Sequence, residues 1–266
     1  CSAWAPVPIM SAPGAGRPGA TAGIVPPAVR AVSEPKAEAG RQLTLRLEAQ
    51  VLLGFDNFHT GANAELVHHL NARAVEAESL GAWVCGEAGV GKSHLLQATC
   101  QAAEQAGRRS IYVPLKALAA DAAAVESLAA DLIALDDVEA WLGRAPLEAV
   151  LMGLYQQQLQ SGGQIVIASA RTAQQSAFEL ADLASRARAL PGYRVLAADD
   201  EGLREILFAA AQRRGLILTD AVLDYWLHRA VRSLPELLAQ LQTLDDQALV
   251  EQRAITIPLI KEVLGL

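Results

Sequence analysis

Aromatic residues make up only 5% of the 266-residue chain, and cysteine occurs three times, at Cys1, Cys85 and Cys100. Three cysteines are too few, and odd in number, for a disulfide framework, a usage that suits a reducing, cytoplasmic setting. No tryptophan has the neighbours of a base-stacking platform for single-stranded nucleic acid, so Trp83, Trp141 and Trp226 read as core or interface residues. No apolar run approaches the roughly 18–20 residues of a membrane-spanning helix, and no membrane partner is expected. Basic side chains are outnumbered 22 to 29, for a net charge of −7. That balance argues against non-specific nucleic-acid binding by the whole surface, though not against a partner that itself sits on DNA. His59 and the pair His68-His69 lack cysteine or acid partners at metal spacing, so no zinc site is expected. What is plentiful is apolar: 52% hydrophobic and 19% charged residues, with a mean hydropathy of +0.22. This is the composition of a chain with a buried core, long enough for one large domain or two small ones.

The charge is uneven. Residues 1–47 carry five basic groups and two acids, a net +3, which leaves −10 on the remainder. Residues 1–40 are rich in Ala, Pro and Gly without apolar period and read as a disordered leader. From about Leu80, short apolar strands alternate with helical stretches. Strands are expected at 82–85, 110–113, 132–135, 164–168 and 193–195, with helices at 92–106 and 146–160 between them. That alternation predicts an α/β domain, over 48–197, in which helices cover both faces of a parallel sheet. After Ala198 the strands nearly stop. Helical periodicity over 201–213, 219–230, 234–250 and 259–264 predicts a small α-helical domain over 198–266, with Thr219-Asp220 as an N-cap pair.

Between the first strand and its helix, Gly86-Glu87-Ala88-Gly89-Val90-Gly91-Lys92-Ser93 matches the P-loop pattern in full. Glycines let the backbone fold tightly enough for its N–H groups to surround phosphates, and the following helix N-terminus adds positive potential. The nucleotide-binding residues expected are Gly86, Gly89, Val90, Gly91, Lys92, Ser93 and His94, with Lys92 on the β- and γ-phosphates and Ser93 on Mg²⁺. His94 itself reads as packing or bonding locally rather than as a base. Leu132-Ile133-Ala134-Leu135-Asp136-Asp137 supplies the second element, a buried strand ending in acids where open α/β sheets bind ligands. Asp136 is expected to join the Mg²⁺ shell and Asp137 to polarise an attacking water. The cofactor is therefore ATP or ADP with Mg²⁺. Arg108-Arg109 and Arg213-Arg214 read as solvated helix ends.

Several segments together resemble the AAA+ family and, within it, the DnaA/Hda branch. Phe55-Asp56-Asn57-Phe58 is similar to the segment leading into the nucleotide domain of that branch, and Gly91-Lys92-Ser93-His94-Leu95-Leu96 to its extended P-loop. Asp182-Leu183-Ala184-Ser185-Arg186 resembles the motif carrying the arginine finger, and residues 255–264 resemble the end of an Hda lid. The resemblance implies an AAA+ base followed by a lid, and makes Arg186 a finger acting on nucleotide held by a neighbouring subunit. Arg188 is a rival, and a salt bridge from Arg186 to Asp182, its i−4 neighbour, is the plainer alternative. Gln42-Leu43-Thr44-Leu45-Arg46-Leu47 resembles the peptide by which Hda-type members bind the β sliding clamp of DNA polymerase III. Such a peptide at 41–47 would offer the Gln42 amide and seat Leu43, Leu45 and Leu47 in apolar pockets, although an ordinary edge strand has the same pattern.

Two departures from the branch stand out. Ala170 replaces the acid near the first sensor, and Pro235 stands where the lid's sensor arginine is expected, with Arg232 nearly a turn earlier as a substitute. Both put efficient hydrolysis by the chain's own site in doubt. With no basic DNA-reading domain before Leu266, the resemblance implies a regulator that meets DNA only through the clamp and promotes hydrolysis of DnaA-bound ATP. Homo-oligomerisation is compatible with it. A self-acting ATPase, such as a DnaA-like protein or a helicase loader, is the alternative, and a pure adaptor to the clamp is a third.

Overall fold

The computed structural model describes residues 53–76, 81–118 and 122–266. The chain divides into two units, Cys1–Glu48 and Ala49–Leu266, and all described residues belong to the second. The leader and Gln42–Leu47 lie outside them.

Five parallel strands form the sheet: β1 (Gly81–Cys85), β2 (Ser110–Pro114), β3 (Leu132–Asp136), β4 (Gln164–Ser169) and β5 (Gly192–Arg194), in the order β2-β3-β4-β1-β5. β1, β3 and β4 are buried throughout, as apolar strands covered on both faces must be. The two faces separate by the period of two. Trp83, Cys85, Ile133, Leu135, Ile165 and Ile167 share one core with residues of α3 (Ala122–Glu126), α4 (Ala145–Ser161) and α5 (Ala181–Ala189). Ala82, Val84, Leu132, Ala134, Val166 and Ala168 share another with α1 (Ala64–Val75) and α2 (Lys92–Gln105). The expected strands and long helices are present within a residue or two. Helix α1 is not among the sequence expectations, yet Leu66, Leu70 and Ala74 recur at i, i+4 and i+8 and are buried.

The C-terminal part is a helical lid of α6 (Asp200–Arg213), α7 (Asp220–Leu227), α8 (Leu234–Glu251) and α9 (Ile257–Leu264) around its own core, with Leu207, Trp226, Leu241, Leu244, Leu259 and Ile260 at its centre. Thr219 occupies the N-cap of α7 but its side chain makes no cap bond; the side-chain caps fall instead at Asp199 for α6 and Thr256 for α9. Trp83, Trp141 and Trp226 are all buried, and each indole N–H finds an acceptor, on Arg171, Leu115 and Gln240 respectively. One expectation needs correcting. Arg108 is not a solvated helix end: its guanidinium is partly buried and donates to the carbonyls of Arg73, Ala74 and Asp131, tying α1 to the start of β3. No helix among the described residues is long and apolar enough to cross a membrane.

Candidate functional site

The site forms at the carboxyl ends of the strands, where β1 turns into α2. Gly89 and Gly91 hold φ of +78° and +101°, backbone conformations that side chains disfavour, so the loop's glycines are required for its shape. No side chain caps the N-terminus of α2, whose first amides remain available to an anion. Lys92 is buried, and its Nζ donates to the carbonyls of Gly86 at 2.9 Å and Glu87 at 2.8 Å, which hold the ammonium inside the loop. Ser93 follows, exposed, on the first turn of α2. This donor set suits a nucleotide polyphosphate with Mg²⁺.

Asp136 ends β3 and is 2% exposed. One carboxylate oxygen accepts from the Asp137 amide at 2.9 Å and the other from the Tyr112 hydroxyl at 2.7 Å. Burial, then the bond to Asp136, push the Tyr112 pKa up to about 12, so the hydroxyl stays a donor. Asp137 takes the left-handed conformation, with φ 52°, unusual for a residue with a side chain. Burial and the carboxylates of Asp136 and Glu139 raise its pKa, against the pull of Lys116 and Lys92. A raised carboxyl is better suited to taking a proton from water than an ordinary one. Ala170 has no acid of its own to offer at this departure, and its amide donates to the Glu139 carboxylate at 3.2 Å.

A cleft of about 360 Å³ lies between this loop, the segment leading into α1 and the lid. Asn63 is the seam: its Nδ2 donates to the Leu196 carbonyl at 2.9 Å and its Oδ1 accepts the Leu196 amide at 2.8 Å. His59 pairs with Glu205 of α6 at 3.1 Å. His94 bonds the Gly54 carbonyl at 2.9 Å and meets Phe58 edge-on, so it packs, as expected. Burial lowers its pKa first, with Arg213 acting in the same direction and the Gly54 bond opposing. Pro235, in the first turn of α8, lies against the P-loop: a Cβ on Gly89 would fall 2.3 Å from its Cγ. Pro235 thus stands at the position facing the phosphate loop and has no charge to offer. Arg232 lines the cleft but is paired with Asp200 at 2.9 Å. Arg213 also lines it, and has no acidic partner among the described residues. It is part of the site wall and not merely a solvated end.

Arg186 lies about one and a half turns into α5 and is not among the residues lining this cleft. It makes no ion pair with Asp182; its guanidinium carbon lies 5.5 Å from the ring centroid of Tyr155, within cation–π range, while Arg188 sits 5.9 Å from that of Phe178. Glu148, on α4 and fully buried, accepts the amides of Glu179 and Leu180 immediately before α5, at 2.7–3.0 Å, and that of Gly143 at 2.6 Å. Glu148 and Tyr155 are seven residues apart on one face of α4, so a single helix holds both the start of α5 and its first arginine. Among the remaining polar groups, burial pushes the Cys100 thiol up to about 11 and raises that of Cys85, so both are inert core residues. Tyr112 against Asp136, Asn63 beside the cleft and Glu148 behind α5 are not among the sequence expectations, and Arg213, exposed as expected, also lines the cleft.

The parallel sheet in this order, the P-loop at its edge and the helical lid define an AAA+ protein. Residues 50–189 match the family model for the bacterial DnaA ATPase domain, and residues 199–264 match that for the Hda lid domain. An uncharacterised protein of Haemophilus influenzae is 30% identical over 214 residues, covering 79% of this chain and 93% of that one. Domain III of Thermotoga maritima DnaA superposes with a TM-score of 0.72 at 21% identity, over 80% of this chain and 95% of that one. AMPPCP-bound DnaA from Aquifex aeolicus gives 0.57 at 22% identity, over 71% of this chain and 64% of that one. The chain belongs to the bacterial DnaA ATPase-domain family, in the branch that carries an Hda-type lid.

Proposed function

We propose that this chain is an Hda-like negative regulator of replication initiation. It binds ADP or ATP with Mg²⁺ through Gly86–Ser93 and Asp136, docks on the DNA-loaded β sliding clamp through Gln42, Leu43, Leu45 and Leu47, and presents Arg186 to ATP held by DnaA. The observation that carries the reading is the pairing of a complete phosphate loop with a lid that turns Pro235 toward it. Such a site keeps its nucleotide-binding parts while the lid residue against the phosphate loop is uncharged, the lid arginines lining the cleft being Arg213 and the Asp200-paired Arg232; in this reading the bound nucleotide acts as a conformational ligand and the chemistry occurs on the partner. A solved DnaA holds AMPPCP, which supports a nucleotide ligand for a chain of this fold.

In this mechanism Lys92 and the loop amides would bind and orient the polyphosphate, and Ser93 and Asp136 are the residues that would hold Mg²⁺, whose charge would offset that of the phosphates. Arg186 would set its positive charge against the negative charge of the transition state as the partner's γ-phosphate is cleaved. Fingers of this kind are worth about 10³–10⁵ in rate, or about 4–7 kcal/mol of barrier. Arg186→Ala should therefore lower turnover of DnaA-bound ATP by about 10³-fold or more while leaving nucleotide binding by this chain intact. Undiminished turnover removes the finger assignment. For the tether, a Leu45→Ala, Leu47→Ala double variant should no longer co-elute with clamp, and retained co-elution counts against it.

The second reading, a self-acting ATPase, draws on the raised pKa of Asp137 beside a full P-loop. It requires substantial turnover by the isolated chain that disappears in Lys92→Ala and needs no clamp.

A further inference from the structure

β2 and β3 are paired in parallel register, Tyr112 opposite Ala134 and Pro114 opposite Asp136. Tyr112 is therefore the diagonal neighbour of Asp136 on the face covered by α2, a separation that a tyrosine spans. Its Oη donates to Asp136 Oδ2 at 2.7 Å. Ser93 lies on the first turn of α2, the helix that covers this face. Asp136 Oδ1 is already committed to the Asp137 amide. The phenol thus fixes the carboxylate oxygen that the backbone leaves unheld.

We propose that Tyr112 is a positioning residue for magnesium: its hydroxyl sets the orientation of Asp136 on β3, so that a nucleotide arriving with Mg²⁺ finds that carboxylate already placed to act with Ser93 of α2. The inference rests on the nucleotide reading above. It matters because a carboxylate and a serine on separate elements, β3 and α2, must otherwise find their mutual geometry when the metal binds. Outer-shell partners of metal ligands typically contribute roughly 10- to 100-fold in affinity.

The test is equilibrium binding of a fluorescent N-methylanthraniloyl-ADP to the full chain, in Mg²⁺ and in EDTA, for wild type and Tyr112→Phe. The ratio of the two affinities measures what magnesium contributes. Wild type should bind more tightly in Mg²⁺, and Tyr112→Phe should lose about tenfold or more of that gain while matching wild type in EDTA. The EDTA arm also reports whether the variant is folded. An equal gain in both proteins overturns the positioning role. An equal loss in Mg²⁺ and EDTA also overturns it, because a phenol that only supports the core affects both. Absence of binding by wild type removes the underlying nucleotide reading, a result distinct from either.

Discussion

Gly89 and Pro235 meet closely enough that neither tolerates much change. Adding one methyl at Gly89 places it 2.3 Å from the proline ring, at a φ of +78° that already disfavours a side chain. Gly89→Ala is expected to weaken nucleotide binding by loosening the loop and pushing the lid back, at about 1–3 kcal/mol. Pro235→Ala in the same molecule should recover the part due to contact and not the part due to strain. Measuring the affinity of N-methylanthraniloyl-ADP for the single and double variants separates the two, and identical values for both would show that Pro235 plays no part. At this scale the P-loop was fully legible in the sequence, because a phosphate cradle demands its glycines, lysine and serine within eight consecutive residues. Tyr112 and Asn63 were not. Tyr112 acts on a residue 24 positions away and Asn63 on one 133 away, and only the register of β2 on β3 and the return of the chain at Leu196 bring them together.

Among the elements, α4 has the widest reach. Its Glu148 carboxylate takes the Glu179 and Leu180 amides before α5, which has no side-chain cap of its own, and the Gly143 amide before α4, and Tyr155 two turns later backs Arg186. Glu148→Gln replaces an acceptor-only group by one with a misdirected NH₂. It should cost about 1.5–3 kcal/mol, the value of a hydrogen bond to a charged group, visible as a lower denaturant midpoint. An unchanged midpoint would mean that α5 needs no such anchor. The strands and long helices were readable from apolar runs and helical period. Glu148 was invisible for a plain reason: an acid in the first turn of a helix usually serves its own helix dipole, and nothing local says that the next helix begins against it. Arg108 was misread in the same way, because its acceptors come from α1 and β3 and not from the turn that bears it.

Taken whole, the chain joins a mildly basic first 47 residues to an acidic remainder of net charge −10. Net charge of that sign disfavours non-specific binding to nucleic acid, which is compatible with the regulator proposed above. Its cleft joins a complete phosphate loop to a lid that sets uncharged Pro235 against it, with Arg213 and Arg232 in the wall. The direct measurement is hydrolysis of ATP bound to DnaA, followed with this chain, DNA-loaded clamp and ADP, and with each omitted in turn. The account predicts fast turnover only when the chain and the loaded clamp are both present, with further gain from ADP and little hydrolysis by the chain alone. Turnover of DnaA-bound ATP that is the same with and without this chain would contradict it.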